Sequence, residues 1–328
     1  MLIDTIGRKI TYLRVSVTDR CNFRCVYCQP PEGAQWKSHE EILRYEEIAE
    51  IVGVMAAEGV HAVRLTGGEP LVRPYLANLV RMLAAIPGID DISLTTNGFL
   101  LEQQAAELAE AGLKRINVSL DTMKPELFKR ITRVGTIDQV MRGLDAAEKS
   151  GLTPIKINMV VMRGINDDEI VPMARLSLNH PWNVRYIELM PIGNQSPWGD
   201  GFPAPSSMYY PIQDIRDQLE PLGLQEVHGK SGNGPAKEYR LDGGLGRIGM
   251  IAAIGEAFCG DCNRLRLTAD GFLRPCLMSD WEVNIKEALR AGKPILPLIQ
   301  QTVEAKPLGH ELAHRPAPEG RCMMQIGG

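Results

Sequence analysis

No charge of either sign dominates this 328-residue sequence: 36 lysines and arginines face 40 aspartates and glutamates, a net charge of −4. Global electrostatics therefore favour neither nucleic acid nor an anionic membrane, and a polyanion would need a local basic pocket. No apolar run approaches the roughly 18 to 20 residues that span a bilayer. The opening stretch MLIDTIGRKITYLRVSV has no basic segment leading into an apolar one, so no export signal is visible. The expectation is a cytoplasmic protein with no membrane or nucleic-acid partner. Aromatic residues are few, at 5%, but 44% hydrophobic and 23% charged residues are ordinary for a globular chain. Disorder, collagen-like repeats and coiled coil are thereby excluded. The length suits one large α/β domain or two smaller ones.

What stands out is seven cysteines in two triplets and a single: Cys21, Cys25 and Cys28; Cys259, Cys262 and Cys276; and Cys322. Disulfides do not persist in a reducing compartment, so clustered thiols there point to metal binding or redox chemistry. A closed structural zinc site takes four protein ligands, whereas a triplet leaves one metal position open.

The first two thirds of the chain alternate short β-branched runs with amphipathic stretches. Strands are expected at 12–18, 62–67, 91–96, 115–121, 154–162 and 183–190, and helices near 42–58, 74–86, 102–111, 137–149 and 167–179. Alternation of this kind implies parallel βα units, and six of them imply an incomplete (β/α)6 barrel resembling a TIM barrel. Residues 1–225 would form it, with 226–328 as a smaller C-terminal region; the Pro/Gly-rich stretch at 192–211 reads as a long connection. Period 2 then separates the strand faces. Arg14, Ser16 and Thr18 alternate with Leu13, Val15 and Val17; Ser93, Thr95 and Asn97 with Ile92 and Leu94; Asn117, Ser119 and Asp121 with Ile116, Val118 and Leu120. The apolar face must meet the helices, so the polar face lines an interior suited to a polar ligand.

Cys21-Asn-Phe-Arg-Cys25-Val-Tyr-Cys28 follows the first strand directly. A compact CxxxCxxC loop can wrap three thiolates around one iron–sulfur cubane, and the fourth iron can chelate a small molecule bearing an amine and a carboxylate. Gly67-Gly68-Glu69-Pro70 follows the second strand; its glycines would let backbone approach a ligand, and Glu69 could accept hydrogen bonds from an ammonium. The second triplet encloses Arg264-Leu265-Arg266, and guanidiniums beside an open metal site suit an anionic substrate. Spacing alone leaves a zinc knuckle or redox dithiol open at the first triplet, and at the second a zinc site completed by a distant ligand such as Cys322 or a His. Arg14 and Arg64 share inward parity, and Lys156 lies on the fifth strand; buried cations need an anion. Parity sets Arg185 opposite Glu188 and Met190, which weakens its case. Gly327-Gly328 by itself reads as a frayed end.

Together these motifs resemble the radical S-adenosylmethionine (SAM) superfamily. TDRCNFRCVYC, VRLTGGEPLVR, TTNG, INVSLD, IELM and FCGDCNRLRLTADGFLRPCL narrow the resemblance to the GTP 3′,8-cyclase family, or molybdenum cofactor biosynthesis protein A, over nearly the whole chain. The resemblance implies two [4Fe–4S] clusters on the two triplets. It implies SAM at Tyr27, Gly68, Glu69, Ser119 and Met190, and GTP at Arg14, Arg64, Thr95, Lys156, Arg264, Leu265 and Arg266. Arg14, Arg264, Arg266 and a tail reaching into the site with Gly327 and Gly328 would serve catalysis. The implied reaction begins with a 5′-deoxyadenosyl radical taking the ribose 3′ hydrogen of GTP, after which the C3′ radical attacks guanine C8. The implied partners are a low-potential flavodoxin or ferredoxin and a downstream cyclic pyranopterin monophosphate synthase, the enzyme itself being a monomer or homodimer. A peptide-modifying radical SAM enzyme with an auxiliary cluster, and a non-catalytic metal-stabilised binding protein, are the alternatives. Cys322 belongs to neither triplet and reads as a bystander.

Overall fold

The fold is described from a computed structural model, which covers residues 1–30, 32–190, 192, 198–199, 201–229, 232–309 and 321–327. Strands β1 (Tyr12–Thr18), β2 (Ala62–Gly67) and β3 (Asp91–Thr96) have the expected bounds, while β4 (Arg115–Ser119), β5 (Lys156–Val161) and β6 (Asn183–Glu188) are shorter than expected. They alternate with helices α1 (Tyr45–Ala57), α2 (Leu76–Ala84), α3 (Leu101–Glu110), α4 (Pro125–Thr132), α5 (Ile137–Lys149) and α6 (Ile170–Asn179). Each helix turns one apolar stripe to the sheet: α1 buries Ile48, Ile51, Val52 and Met55, and α2 buries Leu76, Leu79, Val80 and Leu83. Against these pack Leu13, Val15, Val17, Val63, Leu65, Leu94, Val118 and Ile157, all fully buried.

Helix α4 was not expected. It starts on Pro125, whose fixed φ suits a first helical position, and ends where Arg133 turns left-handed at φ 58°.

The remaining elements are α7 (Ile212–Leu219), β7 (Gln225–Glu226), β8 (Lys237–Arg240), β9 (Ile248–Ile251), β10 (Arg264–Leu267), β11 (Phe272–Arg274), β12 (Val283–Asn284), α8 (Ile285–Arg290) and α9 (Leu296–Glu304). Their strands extend both edges of the barrel's sheet, in the order β12-β11-β10-β1-β2-β3-β4-β5-β6-β9-β8-β7. β10 runs parallel to β1 and β9 parallel to β6, so the parallel wall is two strands wider than the six βα units alone. Register sets Arg14 beside both Arg64 and Arg266, and aligns Ser119, Asn158 and Arg185 across β4, β5 and β6.

Candidate active site

A cavity of about 300 Å³ opens inside this wall, and all six cysteines of the two triplets line it. The first triplet sits on the loop after β1. That loop is pinned to the end of α4: Arg24 N donates to the Thr132 carbonyl and Val26 N to the Ile131 carbonyl, both at 3.0 Å. The Arg133 guanidinium adds a bond to the Arg24 carbonyl at 3.0 Å, and Phe23 packs edge-on between Phe99 and Phe128. Burial pushes the Cys21 thiol up to about 11, helped by Glu69. It pushes Cys25 higher still, with Cys28 and Cys21 adding repulsion. Three buried thiols that repel one another on ionisation fit a cationic group that would hold them as thiolates. Among the described residues no three His, Cys, Asp or Glu side chains converge on one point, as a single ion requires. A cubane takes each thiolate on a different iron and makes no such demand.

The glycines of the GGEP turn line the cavity and are required by close packing against the cysteine loop. A Cβ on Gly67 would lie 2.3 Å from the Thr18 carbonyl oxygen, and one on Gly68 2.2 Å from that of Arg20. Gly68 N and Glu69 N donate to those same carbonyls at 2.9 and 2.8 Å, so the turn is sewn to the cysteine loop. Glu69 is buried at the cavity wall. Its Oε1 accepts from Leu71 N and the Thr96 hydroxyl, and its Oε2 from Asn97 N at 2.6 Å. Burial outweighs these bonds and raises it to about 7. Tyr27 donates its hydroxyl to Asp121 at 2.7 Å, which leaves the ring edge-on to Trp198.

The second triplet owes its C-x2-C-x13-C spacing to the β10–β11 hairpin. Arg266 pairs with Arg274 in antiparallel register, so Cys262, just before β10, and Cys276, just after β11, lie at the same end of the hairpin. Cys259 joins them through a short turn in which Cys262 N donates to its carbonyl at 3.2 Å. Burial raises the Cys262 thiol, but Arg264 and Lys306 overcome it and bring the group to about 6. Because β10 begins level with the start of β1, and the first triplet follows its end, the triplets lie at opposite ends of β1. Six strand steps span roughly 20 Å. Arg14, Arg64 and Arg266 fill that interval on three neighbouring strands. Burial lowers all three; Arg266 and Arg64 add repulsion at Arg14, Arg115 and Arg264 at Arg64, and Arg264 at Arg266, which falls to about 10.

Residues 15–177 match the Radical SAM superfamily, and residues 182–312 match Molybdenum Cofactor Synthesis C. The sequence is 48% identical over 329 residues to the GTP 3′,8-cyclase of Moorella thermoacetica, covering 99% of both chains. It is 49% identical over 330 residues to that of Pelotomaculum thermopropionicum, again over 99% of both. The chain belongs to the GTP 3′,8-cyclase family. In fold it resembles Streptococcus suis SuiB bound to S-adenosylmethionine, with a TM-score of 0.58 and 15% identity over 90% of this chain and 68% of that one.

Of the residues the cyclase-family resemblance assigned to ligands, Arg14, Tyr27, Arg64, Gly68, Glu69, Thr95, Ser119, Met190, Arg264 and Arg266 line the cavity. Lys156 lies buried at the foot of β5, beyond the cavity wall, and the Leu265 side chain faces outward into the apolar core. Gly327 reaches the interior: Arg266 Nη1 donates to its carbonyl and, at 3.2 Å, to that of Ile326. At φ 67°, a Cβ on Gly327 would lie 2.8 Å from Ser16 Oγ and 2.9 Å from a Thr66 methyl. Gly328, like part of the 192–211 connection, lies outside the described residues.

Arg185 requires a correction. It faces inward with its register partner Asn158 and donates to Asn117 Oδ1 at 2.7 Å. Glu188 is the last residue of β6 and Met190 follows it, and both line the cavity together with Arg185, so opposite parity does not exclude Arg185 there. Sequence reasoning also missed Lys306, which donates to the Arg264 and Pro275 carbonyls at 2.7 and 2.9 Å beside the second triplet. It missed Arg8, which donates to the Cys259 carbonyl at 2.7 Å. Inward parity on β5 could have found Asn158, whose buried Oδ1 has no hydrogen-bond partner among the described residues. Cys322 lies close enough to Cys28 for their thiols to repel on ionisation.

Proposed function

We propose that this chain converts GTP to (8S)-3′,8-cyclo-7,8-dihydroguanosine 5′-triphosphate, the first step of molybdenum cofactor biosynthesis. One observation carries the reading: two cysteine triplets face one cavity from opposite ends, with a row of inward-facing arginines between them. Cys21, Cys25 and Cys28 would hold one [4Fe–4S] cluster, and Cys259, Cys262 and Cys276 a second. The first cluster, with SAM bound to it, would supply the 5′-deoxyadenosyl radical chemistry that takes the ribose 3′ hydrogen and lets C3′ bond to guanine C8.

The chain's own residues bind and orient. Glu69, held by three donors, presents a fixed carboxylate edge to the SAM ammonium. Gly68, Ser119, Met190 and Tyr27 complete the SAM side. Arg14, Arg64, Arg185 and Arg266 offer guanidinium forks to a triphosphate, with Lys156 behind them and Thr95 on the wall. Arg264 and the backbone at Leu265 bring the substrate against the second triplet. The tail closes the cavity through Met323, Met324 and Gly327 and keeps water from a carbon radical. A flavodoxin or ferredoxin would reduce the first cluster, and a cyclic pyranopterin monophosphate synthase would take the product. No described helix is long and apolar enough to cross a membrane.

Anaerobic reconstitution tests the reading. It requires about eight iron per chain and SAM cleavage that depends on GTP. Zinc in place of iron, or cleavage indifferent to GTP, would refute it.

A further inference from the structure

The β10–β11 hairpin holds the C-terminal segment at two places. On the inner side, Arg266 donates to the carbonyls of Ile326 and Gly327. On the outer side, Asp270 in the hairpin turn takes both terminal nitrogens of Arg321, each at 3.1 Å. Glu282 takes Nη2 of the same guanidinium at 2.8 Å and Nε at 3.2 Å. The Arg321 guanidinium also lies 5.0 Å from the centroid of the Phe272 ring.

Both carboxylates are fixed from elsewhere as well. Asp270 accepts the Thr268 hydroxyl at 2.6 Å, and Glu282 takes Nη1 of Arg274, the register partner of Arg266, at 2.6 Å. Asp270, Glu282 and Arg321 stand outside the cavity wall, and the chemistry above has no use for them. Between the two holds, a turn at Met323–Gln325 sets Met323 and Met324 against the cavity. Ordering a short segment loses conformational entropy at every residue. Fixing its near end makes the inner contact effectively intramolecular and raises its local concentration.

We propose that Arg321 is a positioning residue, whose forked clasp with Asp270 and Glu282 fixes where the tail enters the barrel and so keeps Ile326 and Gly327 on Arg266. The same hairpin has Cys262 and Cys276 at one end, so the clasp also sets the tail's placement relative to the second triplet. Its effect on turnover rests on the function proposed above; its effect on the tail does not.

Amide hydrogen exchange on the full chain, without nucleotide, separates the two. In Arg321→Ala, exchange at 323–327 should quicken roughly tenfold to a hundredfold, as expected for lost charged hydrogen bonds, while β10 and β11 keep their protection. Arg321→Lys, which keeps the charge but not the fork, should fall between. Asp270→Asn should loosen the same residues. Tail exchange unchanged in Arg321→Ala would overturn the proposal. In turnover assays Arg321→Ala should lower kcat for cyclisation more than it raises KM for GTP, with iron content unchanged. A variant that loosens the tail yet keeps wild-type kcat would overturn the positioning role. A wild-type chain without cyclase activity would count against the proposed function, and the exchange result would still decide the clasp.

Discussion

Cys25 and Lys156 are groups whose charged forms the folded chain disfavours, and each has a testable consequence. Burial, the neighbouring thiols and Asp121 outweigh the one backbone hydrogen bond that favours the Cys25 thiolate. Cys25→Ala should abolish SAM cleavage and remove about half the iron, since one of two four-iron clusters is lost. Cleavage retained in that variant would remove Cys25 from the ligand set. Burial, then repulsion from Arg185 and Arg115, pushes Lys156 down from 10.5 to about 6. Between those values the unfolded chain carries a proton that the folded one lacks, so this group's contribution to stability improves as pH rises. A bound triphosphate reverses the preference by restoring an anion to the neighbourhood. GTP binding near pH 7.5 should therefore take up close to one proton, and none near pH 5, where Lys156 is already charged. Calorimetry in buffers of different ionisation enthalpy measures this, and an absence of proton linkage at pH 7.5 would contradict it. At this scale the sequence was legible where spacing or parity within a strand carries the signal, as for the cysteines, Arg14 and Arg64. Arg185 was misjudged against residues lying at the strand's end. Arg8 and Lys306 act on backbone carbonyls far away in sequence and belong to no motif.

Elements were legible in proportion to their periodicity. The helices α1, α2, α3, α5 and α6 carry apolar stripes long enough to read, whereas the eight residues of α4 are half polar and bury only Phe128, Ile131 and Thr132. Yet α4 is what pins the first cysteine loop. The GGEP turn pins it from the other side, and its requirement for glycine comes from the neighbouring loop. Gly68→Ala would set a methyl 2.2 Å from the Arg20 carbonyl oxygen and force the two loops apart. An overpacked site of this kind costs about 1–3 kcal/mol, so thermal unfolding should move to lower temperature and iron loading at the first triplet should fall. Wild-type loading and stability in that variant would mean that the loops are not coupled there. The β10–β11 hairpin was hidden for a different reason. Nothing in a four-residue run announces that it will pair in parallel with β1, 250 residues earlier, and only that pairing puts Arg266 beside Arg14.

For the molecule as a whole, the net charge of −4 sums over the entire chain and hides the local excess of cations inside the barrel. The cations that matter are few, lie on neighbouring inward-facing strand positions, and are surrounded by a wall that excludes water. A sheet extended at both edges by its C-terminal strands brings the two cysteine triplets to one cavity, although they are more than 230 residues apart in sequence. The central claim is that this cavity holds the ribose of GTP where its 3′ hydrogen can be taken. It is tested most directly by anaerobic turnover of GTP deuterated at C3′ with SAM and a reductant. The account predicts a 3′,8-cyclised nucleotide and 5′-deoxyadenosine that carries the deuterium. Unlabelled 5′-deoxyadenosine, or SAM cleavage without a cyclised product, would contradict it.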